Sequence, residues 1–84
     1  MPFTLAELAL VVAIAMDEDD VPDLRPDTNL YEEIGMDSMA AVIMVVEIQR
    51  RTGIALDEEL IPELHTAGQV IGAVQAAQQS YSHA

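Results

Sequence analysis

Residues 35–53 read GMDSMAAVIMVVEIQRRTG, and this stretch determines the fold. Its apolar residues recur at helical spacing, so it predicts an α-helix from Ser38 to about Thr52. Gly53 follows directly and suits the left-handed residue that commonly ends a helix. A helix bounded in this way is the most strongly marked element of the chain.

Two apolar stripes run along this helix and point in different directions. The first contains Ala41, Met44, Val45, Ile48 and Thr52, and the second contains Met39, Val42, Ile43 and Val46. A surface helix of a small domain needs only one stripe that faces the core. Two interpretations therefore stay open: a helix that is buried nearly all round, or a helix with one core stripe and one exposed apolar patch that docks partners. Periodicity alone does not decide which stripe faces inward.

The N-terminal segment predicts a first helix. Thr4 and Glu7 have the spacing of a capping box, in which each side chain bonds the other's backbone N–H. Apolar residues then follow at helical spacing on one face, namely Leu5, Leu8, Ala9, Val12, Ala15 and Met16. A second apolar side consists of Leu10, Val11 and Ile14. We expect this helix to end near Met16 and to be mostly buried.

A long acidic connection links the first two helices. Residues 17–37 contain Pro22 and Pro26, and eight of the fifteen acids but one base lie between positions 17 and 33. Connections of this length inside a compact domain are uncommon and often functional. Leu30 and Ile34 lie four residues apart, so we expect one helical turn that attaches the loop to the core.

The C-terminal third predicts a short helix and a long one. Asp57–Ile61 reads as a short acidic turn or helix that Pro62 limits. Thr66, followed three residues later by a glutamine, forms a second capping box. It predicts a final helix that ends near Gln78, with residues 80–84 frayed.

These elements predict an all-α fold, a bundle of three main helices with a short additional helix before the last one. A chain of 84 residues makes one domain. We expect residues 1–84 to form a single free-standing unit with an ordered core at about 3–79. The 51% apolar fraction is too high for a disordered tail.

Composition excludes several classes of function. There is no cysteine, and the charge of 3 − 15 = −12 opposes binding to nucleic acid or to anionic membranes. Basic protein surfaces are the expected partners. A calcium-binding EF-hand loop that starts at Asp17 is excluded, because it would need glycine at its sixth position and Pro22 stands there. The apolar run Leu8–Met16 is too short to cross a membrane, and we expect a cytoplasmic protein. We also expect the protein to be a monomer.

Ser38 stands at the head of the central helix, and two interpretations apply to it. Ser38 is a suitable N-cap, and Asp37 favours the positive end of the helix dipole. The same position also suits a phosphate, because helix N-terminal N–H groups attract anions. No neighbouring base can activate Ser38 as a nucleophile, so a chemical use of this hydroxyl would require another enzyme. His65 and His83 have no companion at catalytic or metal-ligand spacing.

The stretch LYEEIGMDSM at positions 30–39 resembles the signature of the acyl carrier protein family, in which an acidic pair precedes Gly-x-Asp-Ser-Leu. The resemblance covers nearly the whole chain, because the predicted helices and the long loop follow in the same order as in that family. It implies that Ser38 carries 4′-phosphopantetheine through a phosphodiester and that acyl groups are held as thioesters on the terminal thiol. Met39 replaces the usual leucine.

From Asp37 to Val74 the chain is most similar to the discrete carriers of bacterial aromatic (type II) polyketide synthases. The supporting segments are YEEIGMDS at 31–38, RTGIALDEEL at 51–60 and HTAGQVI at 65–71. Fatty-acid carriers place acids along helix two, whereas this helix has Ile43, Gln49 and Arg50 at such positions.

The resemblance implies that the first stripe faces the core and the second faces partners. Recognition residues would then be Asp37, Met39, Val42, Ile43, Val46 and Glu47. It also implies partners: a phosphopantetheinyl transferase, a malonyl or acyl transferase, a ketosynthase with its chain-length factor, and tailoring enzymes. The protein would be a carrier of malonyl and growing polyketide chains and not an enzyme. A fatty-acid carrier and an unmodified acidic helical interaction module are the alternatives.

Overall fold

The computed structural model describes residues 3–82 of the chain. Three α-helices, α1 (Leu5–Ala15), α2 (Ser38–Thr52) and α3 (Ala67–Ser82), form the domain with a 3₁₀ helix at Glu58–Glu63. The all-α prediction is confirmed. Across residues 3–82, none of the helices has the length and apolar character that spanning a bilayer requires.

Helix α1 begins where its cap predicts. The Thr4 hydroxyl accepts a hydrogen bond from the Glu7 N–H at 3.2 Å, and the helix ends at Ala15. The expectation that α1 is mostly buried is confirmed for six of its eleven residues, but Leu10 and Ile14 are 45% and 48% exposed.

The long loop is hydrogen-bonded to the start of α3. The Leu30 N–H donates to the His65 carbonyl at 2.7 Å, and the Ala67 N–H donates to the Thr28 carbonyl at 3.0 Å. These two bonds flank an isolated antiparallel bridge. The middle of the loop therefore has a fixed position although it lies between two helices that are far apart in sequence.

The predicted helical turn at 30–34 is present, and its cap lies one residue earlier. The Asn29 side-chain oxygen accepts from the N–H groups of Tyr31 and Glu32, and Glu33 Oε2 accepts from the Asn29 N–H. The leucine of this turn is only 1% exposed. The turn therefore attaches the loop to the core, as its apolar spacing predicts.

Two C-terminal boundaries differ from the sequence prediction. Pro62 lies inside the 3₁₀ helix and does not end it. The Leu64 N–H bonds the Ile61 carbonyl, so proline occupies the second position of a tight turn, which suits its fixed φ. Helix α3 reaches Ser82 and passes the expected end near Gln78, because neither glycine nor proline follows that residue.

One core joins the three helices and the loop. Its most completely buried large side chains are Phe3, Leu8, Leu30, Met44, Ile48, Val11, Val12, Val70 and Val74. Leu24 and Met36, from opposite ends of the loop, are buried in the same cluster. The loop thus supplies part of the core, and its end at Met36 fixes where α2 begins.

Gly68 tests the contact between loop and α3. Its N–H donates to the Pro26 carbonyl at 2.8 Å, and a Cβ at this position would lie 2.8 Å from that same oxygen. We expect Gly68→Ala to lower the free energy of unfolding by about 1–3 kcal/mol, as overpacking does.

Gly72→Ala is the matched control, because it lies in the same helix and its Cβ would meet nothing within 4 Å. It should raise stability by about 0.5–1 kcal/mol through helix propensity. Urea titrations measure both. A Gly68→Ala protein as stable as Gly72→Ala would contradict the close approach.

Candidate functional site

Asp37 caps helix α2, and Ser38 is the first helical residue. The Asp37 Oδ1 accepts a hydrogen bond from the Ala40 N–H at 2.8 Å, while the Asp37 carbonyl accepts from the Ala41 N–H at 3.0 Å. The interpretation of Ser38 as the N-cap is therefore wrong. Asp37 has the extended backbone that a capping residue needs, and its carboxylate also favours the positive helix end.

This arrangement leaves the Ser38 hydroxyl unengaged. The side chain is exposed, and it forms no hydrogen bond with any residue in the described part of the chain. Within the same range, the N–H groups of Ser38 and Met39 also have no acceptor. An exposed hydroxyl beside two unpaired N–H groups at a helix N-terminus is suited to carry a phosphate group, which would accept from both.

The two stripes of α2 separate as the resemblance implies. Ala41, Met44, Val45 and Ile48 are buried. The exposed stripe shows fractions of 72% for Met39, 48% for Val42, 41% for Ile43 and 47% for Val46. We call these four residues the α2 face. The interpretation of a helix buried all round is wrong, and Ser38 lies at the N-terminal end of this face.

A cleft of about 210 Å³ opens beside Ser38, between the end of α1 and the start of α2. It is lined by Ala15, Met16, Gly35, Asp37, Met39, Ala40 and Ile43. Sequence reasoning identified Asp37, Met39 and Ile43 as recognition residues but missed Met16 and Gly35. Met16 directly follows α1, and its approach to α2 depends on helix packing, which local sequence patterns do not show.

Glu47 is paired with two arginines on its own helix. Its carboxylate lies 3.3 Å from Arg50 Nη1 and 3.4 Å from Arg51 Nε, and its side chain is only 18% exposed. The sequence analysis placed Glu47 among the recognition residues without these partners. The spacing of Glu47 from Arg50 and Arg51 already predicts these ion pairs, because residues three and four apart on a helix are neighbours.

No group of three His, Asp or Glu side chains within residues 3–82 is placed to hold a metal ion. The exposed His65 meets the Tyr31 ring edge-on, with the ring centroids 5.7 Å apart. His83 lies outside the described residues.

The phosphopantetheine attachment site family matches residues 9–74. The chain belongs to the acyl carrier protein family. It is 41% identical over 64 residues to the anthracycline acyl carrier proteins DauA of Streptomyces sp. (strain C5) and DpsG of Streptomyces peucetius, an alignment of 75% of this chain and 76% of each relative. Acyl carrier protein 2 of Ralstonia nicotianae is 37% identical over 57 residues, or 68% of this chain and 70% of that protein.

Membership of the family brings a covalently attached 4′-phosphopantetheine. The residues of this acyl carrier protein fit that group. The exposed hydroxyl offers a point of attachment, and the two unpaired N–H groups beside it can bond the phosphate of the arm. The cofactor supplies the thiol that the cysteine-free chain lacks.

The capping assignment predicts unequal effects on stability for substitutions at Asp37 and at Ser38. Asp37→Ala should lower the free energy of unfolding by about 0.5–2 kcal/mol, because it leaves the Ala40 N–H without its acceptor. Ser38→Ala should change it by less than about 0.5 kcal/mol, since the hydroxyl has no partner to lose. Chemical denaturation of the unmodified protein measures both, with Asp37→Ser as the variant that retains a cap. A larger loss of stability from Ser38→Ala than from Asp37→Ala would mean that Ser38, and not Asp37, caps the helix.

Proposed function

We propose that this acyl carrier protein bears its 4′-phosphopantetheine on Ser38 and carries malonyl and growing polyketide chains in a dissociated, type II polyketide synthase. One observation carries the proposal: the Ser38 hydroxyl is exposed and unbonded at the first position of α2, within Gly-x-Asp-Ser. The cap by Asp37 supports it, because that carboxylate takes the bond that a capping serine would otherwise make.

Loading at Ser38 is a transfer from coenzyme A. A bond forms between the Ser38 oxygen and the phosphorus next to pantetheine, and the bond from that phosphorus to the bridging oxygen of the diphosphate breaks. Adenosine 3′,5′-bisphosphate leaves, and the serine proton is released. The neighbouring Asp37 carboxylate accepts from the Ala40 N–H, and the Ser38 hydroxyl bonds no described residue, so we assign the base to the transferase.

After loading, the protein acts as a cytoplasmic carrier with no catalysis of its own. The thioester on the arm presents the acyl group to enzymes that dock on the α2 face. A transferase would load malonyl, a ketosynthase with its chain-length factor would extend the chain, and tailoring enzymes would modify it. The proposal rests on an exposed apolar surface that begins beside Ser38.

The electrostatics of α2 favour the polyketide pathway over fatty-acid synthesis. Glu47 is neutralised by Arg50 and Arg51, so the helix offers basic partners little free negative charge beyond its cap. The names of DauA and DpsG place those two relatives in anthracycline synthesis. Their similarity supports a polyketide role for this chain, and docking through apolar contact fits the α2 face.

Attachment at Ser38 is tested by intact mass. Incubation with coenzyme A and a broad-specificity phosphopantetheinyl transferase should add a single phosphopantetheine to the wild-type protein and none to Ser38→Ala. Ser80→Ala serves as a control and should load at the wild-type rate. Circular dichroism establishes that each variant is folded. A loaded Ser38→Ala protein would overturn the assignment.

Partner docking should depend more on apolar contact than on charge. Ile43→Ala removes a half-exposed side chain of the α2 face and should weaken binding of the loaded carrier to a type II ketosynthase pair by about three- to tenfold. Glu47→Gln should change affinity by less than about threefold, because Arg50 and Arg51 already neutralise that carboxylate.

Circular dichroism must show both variants folded before the affinities are compared. A greater loss from Glu47→Gln than from Ile43→Ala would mean that docking uses the acidic mode of fatty-acid carriers.

A further inference from the structure

A second apolar surface lies away from the α2 face. Leu10 and Ile14, one helical turn apart on α1, are 45% and 48% exposed. Val21 of the loop is 51% exposed, and Pro22 follows it. We call these four residues the α1–loop surface. The carrier chemistry at Ser38 and docking on α2 leave this surface without a role.

Val21 and Pro22 separate two open clefts against α1. One cleft of about 280 Å³ is lined by Val12, Ala13, Met16, Glu18, Asp20, Val21, Pro22, Glu33 and Ile34. The other, of about 480 Å³, is lined by Leu5, Ala6, Ala9, Leu10, Val21, Pro22, Asp23 and Leu24. The α1–loop surface is therefore grooved, and side chains of a partner can insert into its clefts.

Carboxylates surround these clefts. Glu18, Asp20 and Glu33 line the first cleft, and Asp23 lines the second. Among the side chains that the structure describes, none of these four carboxylates forms an ion pair, whereas Glu47 on α2 is paired with two arginines. Eight of the fifteen acids lie between positions 17 and 33, so much of the unpaired negative charge of the protein lies on the loop that forms this surface.

We propose that the α1–loop surface docks a basic segment of a partner protein, which inserts apolar side chains into the clefts and places lysine or arginine side chains against the acidic rim. Charge complementarity selects this occupant. A second copy of the chain would bring another net charge of −12 to the same surface, and an anionic membrane would be repelled. The attraction is long-ranged and screened by salt, so the surface would mainly accelerate encounter.

This second surface is independent of the modification at Ser38. A partner that bound there would leave the phosphopantetheine arm and the α2 face accessible. One protein could then bind the carrier while an enzyme acts on the thioester of the arm. The unmodified chain is therefore the right material for the test, and failure of the test would not affect the proposed attachment site.

The probe is a synthetic amphipathic helical peptide with one leucine stripe flanked by lysine and arginine. It is titrated at low salt into the isotopically labelled, unmodified protein, and backbone amide shifts are recorded by NMR. Leu10→Asn and Val42→Asn form a matched pair, since both side chains lie on a helix and are nearly equally exposed. Glu18→Gln and Glu59→Gln form a second pair of exposed glutamates.

We expect the peptide to shift amides at 10–14 and 18–23. Leu10→Asn should weaken binding by about three- to tenfold, and Val42→Asn by less than about twofold. Glu18→Gln should weaken it by about two- to fivefold at low salt, and Glu59→Gln by less. Circular dichroism establishes that the variants are folded.

Three results would each overturn the proposal. The first is a set of shifts centred on residues 39–46, and the second is equal binding of the peptide by Leu10→Asn and Val42→Asn. The third is binding of a peptide with serine in place of its leucines as tight as that of the original. The last result would reduce the interaction to charge alone.

Discussion

The structure depends on main-chain hydrogen bonds between the middle of the long loop and the start of α3. The bonds from the Leu30 N–H to the His65 carbonyl and from the Ala67 N–H to the Thr28 carbonyl join segments more than thirty residues apart. With Leu30 buried in the core, they leave the loop few alternative paths. The loop in turn delivers Met36 to the core, and α2 begins two residues later. The position of Ser38 is thus set by a contact that Ser38 itself does not make.

Asp37 and Ser38 have different roles at the start of α2. Asp37 satisfies the helix by bonding the Ala40 N–H, and this leaves Ser38 exposed for chemistry together with two spare N–H donors. A similar division appears at the scale of the molecule. The α2 face is apolar and the nearby Glu47 is paired with two arginines, whereas unpaired carboxylates line the clefts between α1 and the loop. The two proposed modes, apolar docking on α2 and long-range attraction at the α1–loop surface, would therefore use different parts of the surface.

Local sequence patterns predicted the helices well because spacing and caps are local. The bounds of α2, the Thr4 cap and the turn at 30–34 follow from residues within a few positions of each other. Errors arose where two local interpretations competed, as at Asp37 and Ser38, both of which can cap a helix. Nothing in the sequence marks the bond from Leu30 to His65, because main-chain groups are the same in every residue. Periodicity left the two α2 stripes equivalent, and the family resemblance resolved them.

Amide hydrogen exchange by NMR, measured before and after loading with phosphopantetheine, tests the central claim most directly. In the unmodified protein, the N–H groups of Leu30 and Ala67 should be protected like those of the helix interiors, while those of Ser38 and Met39 should exchange rapidly. After loading, exchange at Ser38 and Met39 should slow, because a phosphate attached to Ser38 would accept hydrogen bonds from both N–H groups. Rapid exchange at Leu30 and Ala67, or no change at Ser38 and Met39 on loading, would contradict the account.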